Sequence, residues 1–260
     1  MRADGQFHLT TIGNSLIEYL YSYYDFSHQF DTITPQGDKN IRITAILKKP
    51  EVLEDLFYEG ITLSPQTTLN GAISLHTDSV YLHAFSPTIH FQGINLDSNW
   101  VTLSNKNRKL LTEYSTLRVI LKDSTPTDPT VFGIDDLSIN ALMGRDSIIY
   151  GIYWNNRDSV LRNIGEIEGY AANTNDTTLF NIGKTNIWIN DSLWVIDTTN
   201  LITYTPNSFT FKNFNVTGGH SVLKVNGSVP KMDSDSLVAQ FVNWELSNFD
   251  ILTRQFSIDL

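Results

Sequence analysis

Apolar and polar residues alternate along most of this chain. Ile41, Ile43, Ala45 and Leu47 interleave with Arg42, Thr44, Ile46 and Lys48; Leu69, Gly71, Ile73 and Leu75 interleave with Asn70, Ala72, Ser74 and His76. The same step recurs at Leu117, Val119 and Leu121, at Leu137, Ile139 and Ala141, at Phe209 and Phe211, and at Leu223 and Val225. Successive side chains of a strand point to opposite faces, so a period of two predicts antiparallel strands with one apolar and one wet face. About 15 such runs follow one another, separated by Asn, Asp, Ser, Thr and Gly, the residues that turn a chain. The expected fold class is mainly β: an extended antiparallel meander.

A local device repeats between the runs. A polar turn ends in Asp-Ser and an aliphatic residue opens the next strand, at Asp78-Ser79-Val80, Asp146-Ser147-Ile148, Asp158-Ser159-Val160, Asp191-Ser192-Leu193 and Asp235-Ser236-Leu237. The spacing is irregular, which suits hairpin after hairpin rather than a solenoid of fixed period. Three short helices are expected against this background. Ser15-Leu16-Ile17-Glu18 forms a capping box ahead of Leu16, Leu20 and Tyr24, predicting a helix to about Phe26. Pro50–Phe57 carries proline in a first-turn position with acids near the positive helix end. Asn107–Tyr114 is the third. No internal domain boundary stands out, although Thr125-Pro126-Thr127-Asp128-Pro129 resembles a linker, and residues 1–260 read as a single section.

Composition narrows the classes. Hydrophobic residues make up 41% and aromatic residues 12%, which excludes a disordered chain. A net charge of −10 opposes binding along a phosphate backbone, so no nucleic-acid partner is expected. The absence of cysteine removes disulfides, thiolate metal sites and cysteine nucleophiles together. No signal-like apolar run follows Met1, and Leu16–Phe26 is too short and too charged to cross a bilayer. With the last residues, Phe256–Leu260, reading as a strand, the chain is expected to be part of something longer.

Candidate chemistry is sparse. Gly183-Lys184-Thr185 resembles the end of a phosphate loop, but the earlier glycine is Thr178 and strand pattern follows. Asp233-Ser234-Asp235 could open a calcium loop, yet Val238 and Trp244 occupy its glycine and bidentate-acid positions. His76, His83 and His90 are evenly spaced, but a step of seven reverses strand face, so no metal site is expected. Glu166 and Glu168 share one face of a strand with Ile167 on the other; this fits a wet face better than the paired carboxylates of a glycoside hydrolase. Trp188, Trp194 and Trp244 each sit in an apolar strand, as core or edge anchors rather than a sugar platform. No catalytic residue, cofactor or metal is expected.

The last third carries a family likeness. Ile187-Trp188-Ile189-Asn190-Asp191-Ser192-Leu193-Trp194-Val195-Ile196 leads through Leu201-Ile202-Thr203-Tyr204 to Phe209-Thr210-Phe211-Lys212-Asn213-Phe214-Asn215-Val216. Leu223-Lys224-Val225-Asn226-Gly227-Ser228-Val229 follows, and Phe241-Val242-Asn243-Trp244-Glu245-Leu246-Ser247-Asn248-Phe249-Asp250-Ile251-Leu252 closes the series. This order resembles the repeating strand units of TamB-type translocation and assembly proteins, of the AsmA-like group, in their long Bacteroidota forms. The likeness is strong over residues 185–252 and loose before, through Leu53–Phe57 and Ile61–Leu75. It matches an interior section, without the family's membrane anchor and C-terminal domain.

The resemblance implies a sheet curled into an open trough, apolar inside and polar outside, in the periplasmic part of an inner-membrane-anchored protein. Its implied partners are phospholipid acyl chains and, through other parts of such proteins, the inner membrane and an outer-membrane assembly barrel. Its implied role is lipid transport to the outer membrane and outer-membrane protein assembly. The physics is compatible: an acyl tail in water costs roughly 0.8 kcal/mol per methylene, about 10 kcal/mol in all, and a continuous apolar strip lowers that cost. The residues expected to line such a groove are Ile43, Ile73, Leu75, Val119, Leu121, Ile139, Phe211, Leu223 and Val225. The alternative is a closed β-sandwich that binds glycan or protein, in which the same apolar faces pack against each other.

Overall fold

A computed structural model describes residues 2–4, 40–48, 61–74, 77–91, 93–106, 109–121, 134–156, 162–174, 176–189, 191–230 and 236–244. These residues are mainly β, and none of them is helical. The strands are β1 (Arg2–Asp4), β2 (Asn40–Leu47), β3 (Ile61–Leu63), β4 (Thr67–Ser74), β5 (Ser79–Phe91), β6 (Ile94–Lys106), β7 (Lys109–Leu121) and β8 (Ile134–Gly144). They continue as β9 (Ser147–Asn155), β10 (Ile164–Thr174), β11 (Thr177–Ile189), β12 (Ser192–Ile196), β13 (Leu201–Thr205), β14 (Ser208–Gly218), β15 (Ser221–Pro230) and β16 (Leu237–Val242). Two of the expected helices, Ser15–Phe26 and Pro50–Phe57, and the linker-like Thr125–Pro129 lie outside the described residues.

The third expected helix is a strand. Residues 109–114 open β7, in which Leu110, Thr112, Tyr114 and Thr116 alternate with Leu111, Glu113, Ser115 and Leu117. The four-residue interval from Leu110 to Tyr114 fits both periods. β6 lies alongside and supplies a hydrogen-bonded ladder, while an isolated turn rich in Thr and Tyr nucleates a helix poorly.

The chain divides into two compact units, Met1–Val119 with Ser138–Ile148, and Ile120–Leu137 with Ile149–Leu260. In the first, the hydrogen-bonded order is β1-β2-β4-β5-β6-β7-β8, with β3 on the far end of β5; in the second it is β9-β10-β11-β12-β14-β15-β16, with β13 between β11 and β14. The Asp-Ser turns at Asp78, Asp146 and Asp191 each lead into a strand that opens at the serine, whereas Asp158-Ser159 and Asp235 lie outside the described residues. Asp78 and Asp191 take left-handed φ values of 47° and 64°, and β5 and β12 begin at the serines that follow. Aspartate tolerates that region better than most residues.

Each unit carries a transverse crease where regular pairing fails on neighbouring strands at the same level. In the first unit the gap Ser64–Gln66 separates β3 from β4, beside Pro87 of β5, which faces Ser98 of β6. Gln66 and Ser98 have φ of 69° and 56°. Hydroxyls stitch this line: Thr67 Oγ1 donates to Ser64 O at 2.7 Å and lies 2.8 Å from Ser86 Oγ, and Thr88 N donates to Ser64 Oγ at 3.0 Å. In the second unit Glu168 of β10 faces Gly183-Lys184 of β11. Next come the gap Asp197–Asn200 between β12 and β13, then Lys212-Asn213 of β14 opposite Asn226 of β15. The register shifts on both sides of that gap are β-bulges, which add a residue to one strand and bend it.

The packed core sits in the first unit, where Ile73, Val80 and Leu110 are almost fully buried and Leu82, Leu103 and Met143 pack around them. Among described residues of the second unit, Ala171 and Ile196 alone are buried apolar side chains.

Candidate functional site

The second unit presents one apolar face that runs the full length of its strands. Directly paired residues share a face, so register defines it. One row crosses the strands as Ala171, Phe180, Ile202, Phe211, Gly227 and Leu237. A second crosses beyond the crease as Ile196, Val216, Leu223 and Phe241, with Phe214, Val225 and Ala239 between the two rows. The crease is what keeps them together. Along β14 the apolar positions change from odd (Phe209, Phe211) to even (Phe214, Val216), and the bulge at Lys212-Asn213 returns the second pair to the side of the first. β11 makes the same correction at Gly183-Lys184, between Ile182 and Thr185.

Aromatic rings form the surface of this face. Tyr204, Phe209, Phe211 and Phe214 follow in a file with centroid separations of 6.3, 5.0 and 5.8 Å, and Trp244 touches Trp194 at 5.4 Å and Phe241 at 5.5 Å. Trp194 lies on Gly218, its cross-strand partner, where a Cβ would come within 2.2 Å of the indole. The face is open: Phe241 and Val229 are each 50% exposed and Tyr204 44%.

The opposite face mixes charged groups with exposed apolar residues, among them Ile164, Tyr170, Leu193, Val195 and Val238. Lys184 Nζ meets Glu166 Oε1 at 2.6 Å, and this hydrogen bond holds the ammonium proton more firmly than usual. Tyr153 Oη donates to Glu168 Oε1 at 2.7 Å, which pushes the phenol pKa up. The two glutamates are thus engaged by different partners rather than converging on one point. Trp188 lies on this side too, with the Arg162 guanidinium 4.3 Å from its ring centroid. Asp197, at the crease, accepts from the Thr199 amide at 2.9 Å and the Thr199 hydroxyl at 2.8 Å, and the backbone bond above all lowers its pKa.

Of the residues expected to line a groove, Phe211, Leu223 and Val225 come together on the open face of the second unit, all half-buried. Ile43 and Ile73 share a face of β2 and β4 in the first unit and are buried. Val119 has the parity of exposed Leu117, not of buried Leu110 and Thr116. Ile139 is exposed on β8. Leu75 and the Leu121 side chain lie outside the described residues, as do His76 and Asp233–Asp235. Phe209, Phe214, Tyr204, Val229 and Phe241 complete the open face. Their signal was in the sequence as a slip in the alternation of β14, legible only beside β15, which does not slip. His83 and His90 sit on opposite faces, paired with Thr102 and Asn95, and no group of three metal-ligating side chains occurs among the described residues. Gly183-Lys184-Thr185 is bulged strand.

No family model, curated protein or solved structure matches the chain. What the arrangement can do therefore rests on its own surface. A face of half-exposed aromatic and aliphatic side chains, with carboxylates and ammonium groups confined to its reverse, is suited to holding a flexible hydrocarbon without directional bonds. No helix among the described residues is long and apolar enough to cross a membrane.

Proposed function

We propose that this protein is a lipid-handling section of a cell-envelope protein similar to the TamB type, and that the apolar face of its second unit shelters phospholipid acyl chains. The observation that carries the reading is the continuity of that face. Bulges on β11 and β14 hold aromatic and aliphatic residues to one side on both sides of the crease, and much of that surface stays accessible. The curled, open trough of the family resemblance belongs to this proposal and follows the same logic. Each methylene laid on such a surface leaves water at roughly 0.8 kcal/mol, so an acyl chain is held by summed contact and can slide, with no catalytic group, metal or cofactor required. A sandwich module would bury its inner face as a dry interior, whereas Phe241, Val229 and Tyr204 remain accessible.

The test is photocrosslinking from positions 211, 223 and 225, with Lys224 as the outward control, in the presence of labelled phospholipid vesicles. The three inward positions are expected to label at least about tenfold above Lys224, and Phe211→Asp or Val225→Glu to abolish lipid recovery while the circular dichroism of the sheet persists. Equal labelling at Lys224 and Val225 would sink the proposal and leave a protein- or glycan-recognition module.

A further inference from the structure

We infer that the crease across the second unit is a hinge between two halves of its apolar face. Three observations meet on this line. First, backbone rungs are replaced by side chains. Ile182 of β11 donates its N–H to Asn200 Oδ1 at 2.9 Å, and its carbonyl accepts from Asn200 Nδ2 at 2.6 Å, so one buried amide stands in for a missing strand residue. Ile196 N donates to Thr185 Oγ1 at 2.8 Å and Asn213 N to Asn226 Oδ1 at 2.8 Å, while Asn181 Nδ2 donates to Asn200 O at 2.6 Å. Second, Asn213 and Gly227 hold positive φ values of 53° and 112°, so the backbone turns locally on two adjacent strands. Third, the pairing on either side of the line is regular: β13 with β14 from Leu201 to Thr205, and β12 with β14 from Trp194 to Ile196.

The two halves share the backbones of β10, β11, β14 and β15 and an unbroken β15–β16 ladder, but between β11 and β14 side-chain hydrogen bonds replace peptide rungs, and their geometry tolerates rotation better. Each amide satisfies the groups that bending would otherwise strand, since an unpaired buried carbonyl or N–H is expensive. Bending along the line changes the angle between the row containing Phe211 and the row containing Leu223. The width of the apolar face would then adjust to what lies on it. The hinge goes beyond the lipid reading and does not require it.

The chain contains no cysteine, so paired spin labels can be placed cleanly. Thr210→Cys with Thr217→Cys straddles the bulge on β14, about 23 Å apart along a straight strand. Leu179→Cys with Ser228→Cys lies on one side of the crease, about 14 Å apart across β11, β13, β14 and β15. The distance distribution of the first pair is expected to be at least about twice as wide as that of the second, and Asn200→Ala to widen the first alone. Two equally narrow distributions in the unsubstituted background overturn the hinge, whether or not Asn200→Ala folds. Phospholipid vesicles should narrow the first pair only. A broad first pair that ignores vesicles keeps the hinge and counts against the lipid reading.

Discussion

The two units answer the same irregularity in opposite ways. In β5 the apolar positions run even through Val80, Leu82 and Ala84, then odd through Phe85, Ile89 and Phe91; β6 changes phase directly opposite, between Trp100 and Val101. Both strands slip together, the pairing stays in register, and the apolar side crosses from one face of the sheet to the other. In the second unit β14 slips while β15 keeps its phase. A bulge absorbs the difference and the apolar side does not move. Ile73, Val80 and Leu110 of the first unit are buried, whereas the apolar face of the second stays largely accessible. A break in alternation is thus not a defect in the pattern. Its meaning depends on whether the neighbouring strand breaks as well.

The most disruptive test converts one solution into the other. Inserting one alanine after Asn226 gives β15 the extra residue that β14 already carries, so the two strands can pair without a bulge only if Phe209 and Phe211 face away from Phe214 and Val216. The expected loss exceeds about 4 kcal/mol in urea unfolding, beyond the usual range of single substitutions; a variant that keeps wild-type stability would show that the bulge does not hold the two halves of the face together.

A smaller effect is expected at the first unit's crease. Asn99 is buried, accepts from Tyr114 Oη at 2.8 Å and donates to Leu96 O at 2.6 Å and Ser86 O at 3.3 Å. Asn99→Leu leaves three partners unsatisfied and should cost about 2 kcal/mol, with thermal unfolding as the measurement. Tyr114 would report the same event, because burial, the larger influence, already raises its phenol pKa.

The smallest effect concerns pH at the second crease. Asp197 is bonded as a carboxylate, so its folded pKa lies below the ordinary aspartate value. Its contribution is present above about pH 4 and fades as pH falls through the lowered folded value. The Thr199 amide resonance should therefore titrate with a midpoint below the usual aspartate range, a step that Asp197→Asn removes. If the amide follows an ordinary aspartate titration, the turn is not held as described.

Much of this was legible beforehand in particular residues. The turns at Asp78 and Asp191, the strands that follow them, and the grouping of Phe211, Leu223 and Val225 on one apolar side follow from local alternation and turn chemistry. The misread segment was Asn107–Tyr114, where one interval fits two periods and only the neighbouring β6 decides. Ile43 and Ile73, expected to line a groove, are buried on one face of β2 and β4, and whether such a face is closed or open is not encoded in a single strand.

The amino-acid order by itself determined that the described chain would be strands joined by polar turns, because side-chain direction along an extended backbone is a local property. It also fixed where each strand changes phase. Tertiary structure alone decided what each change means, since sidedness belongs to a pair of strands and requires their register. The same pairing decided that Asn200, outside any strand, would complete the ladder of β11, a role visible only when the amide of one segment meets the backbone of another.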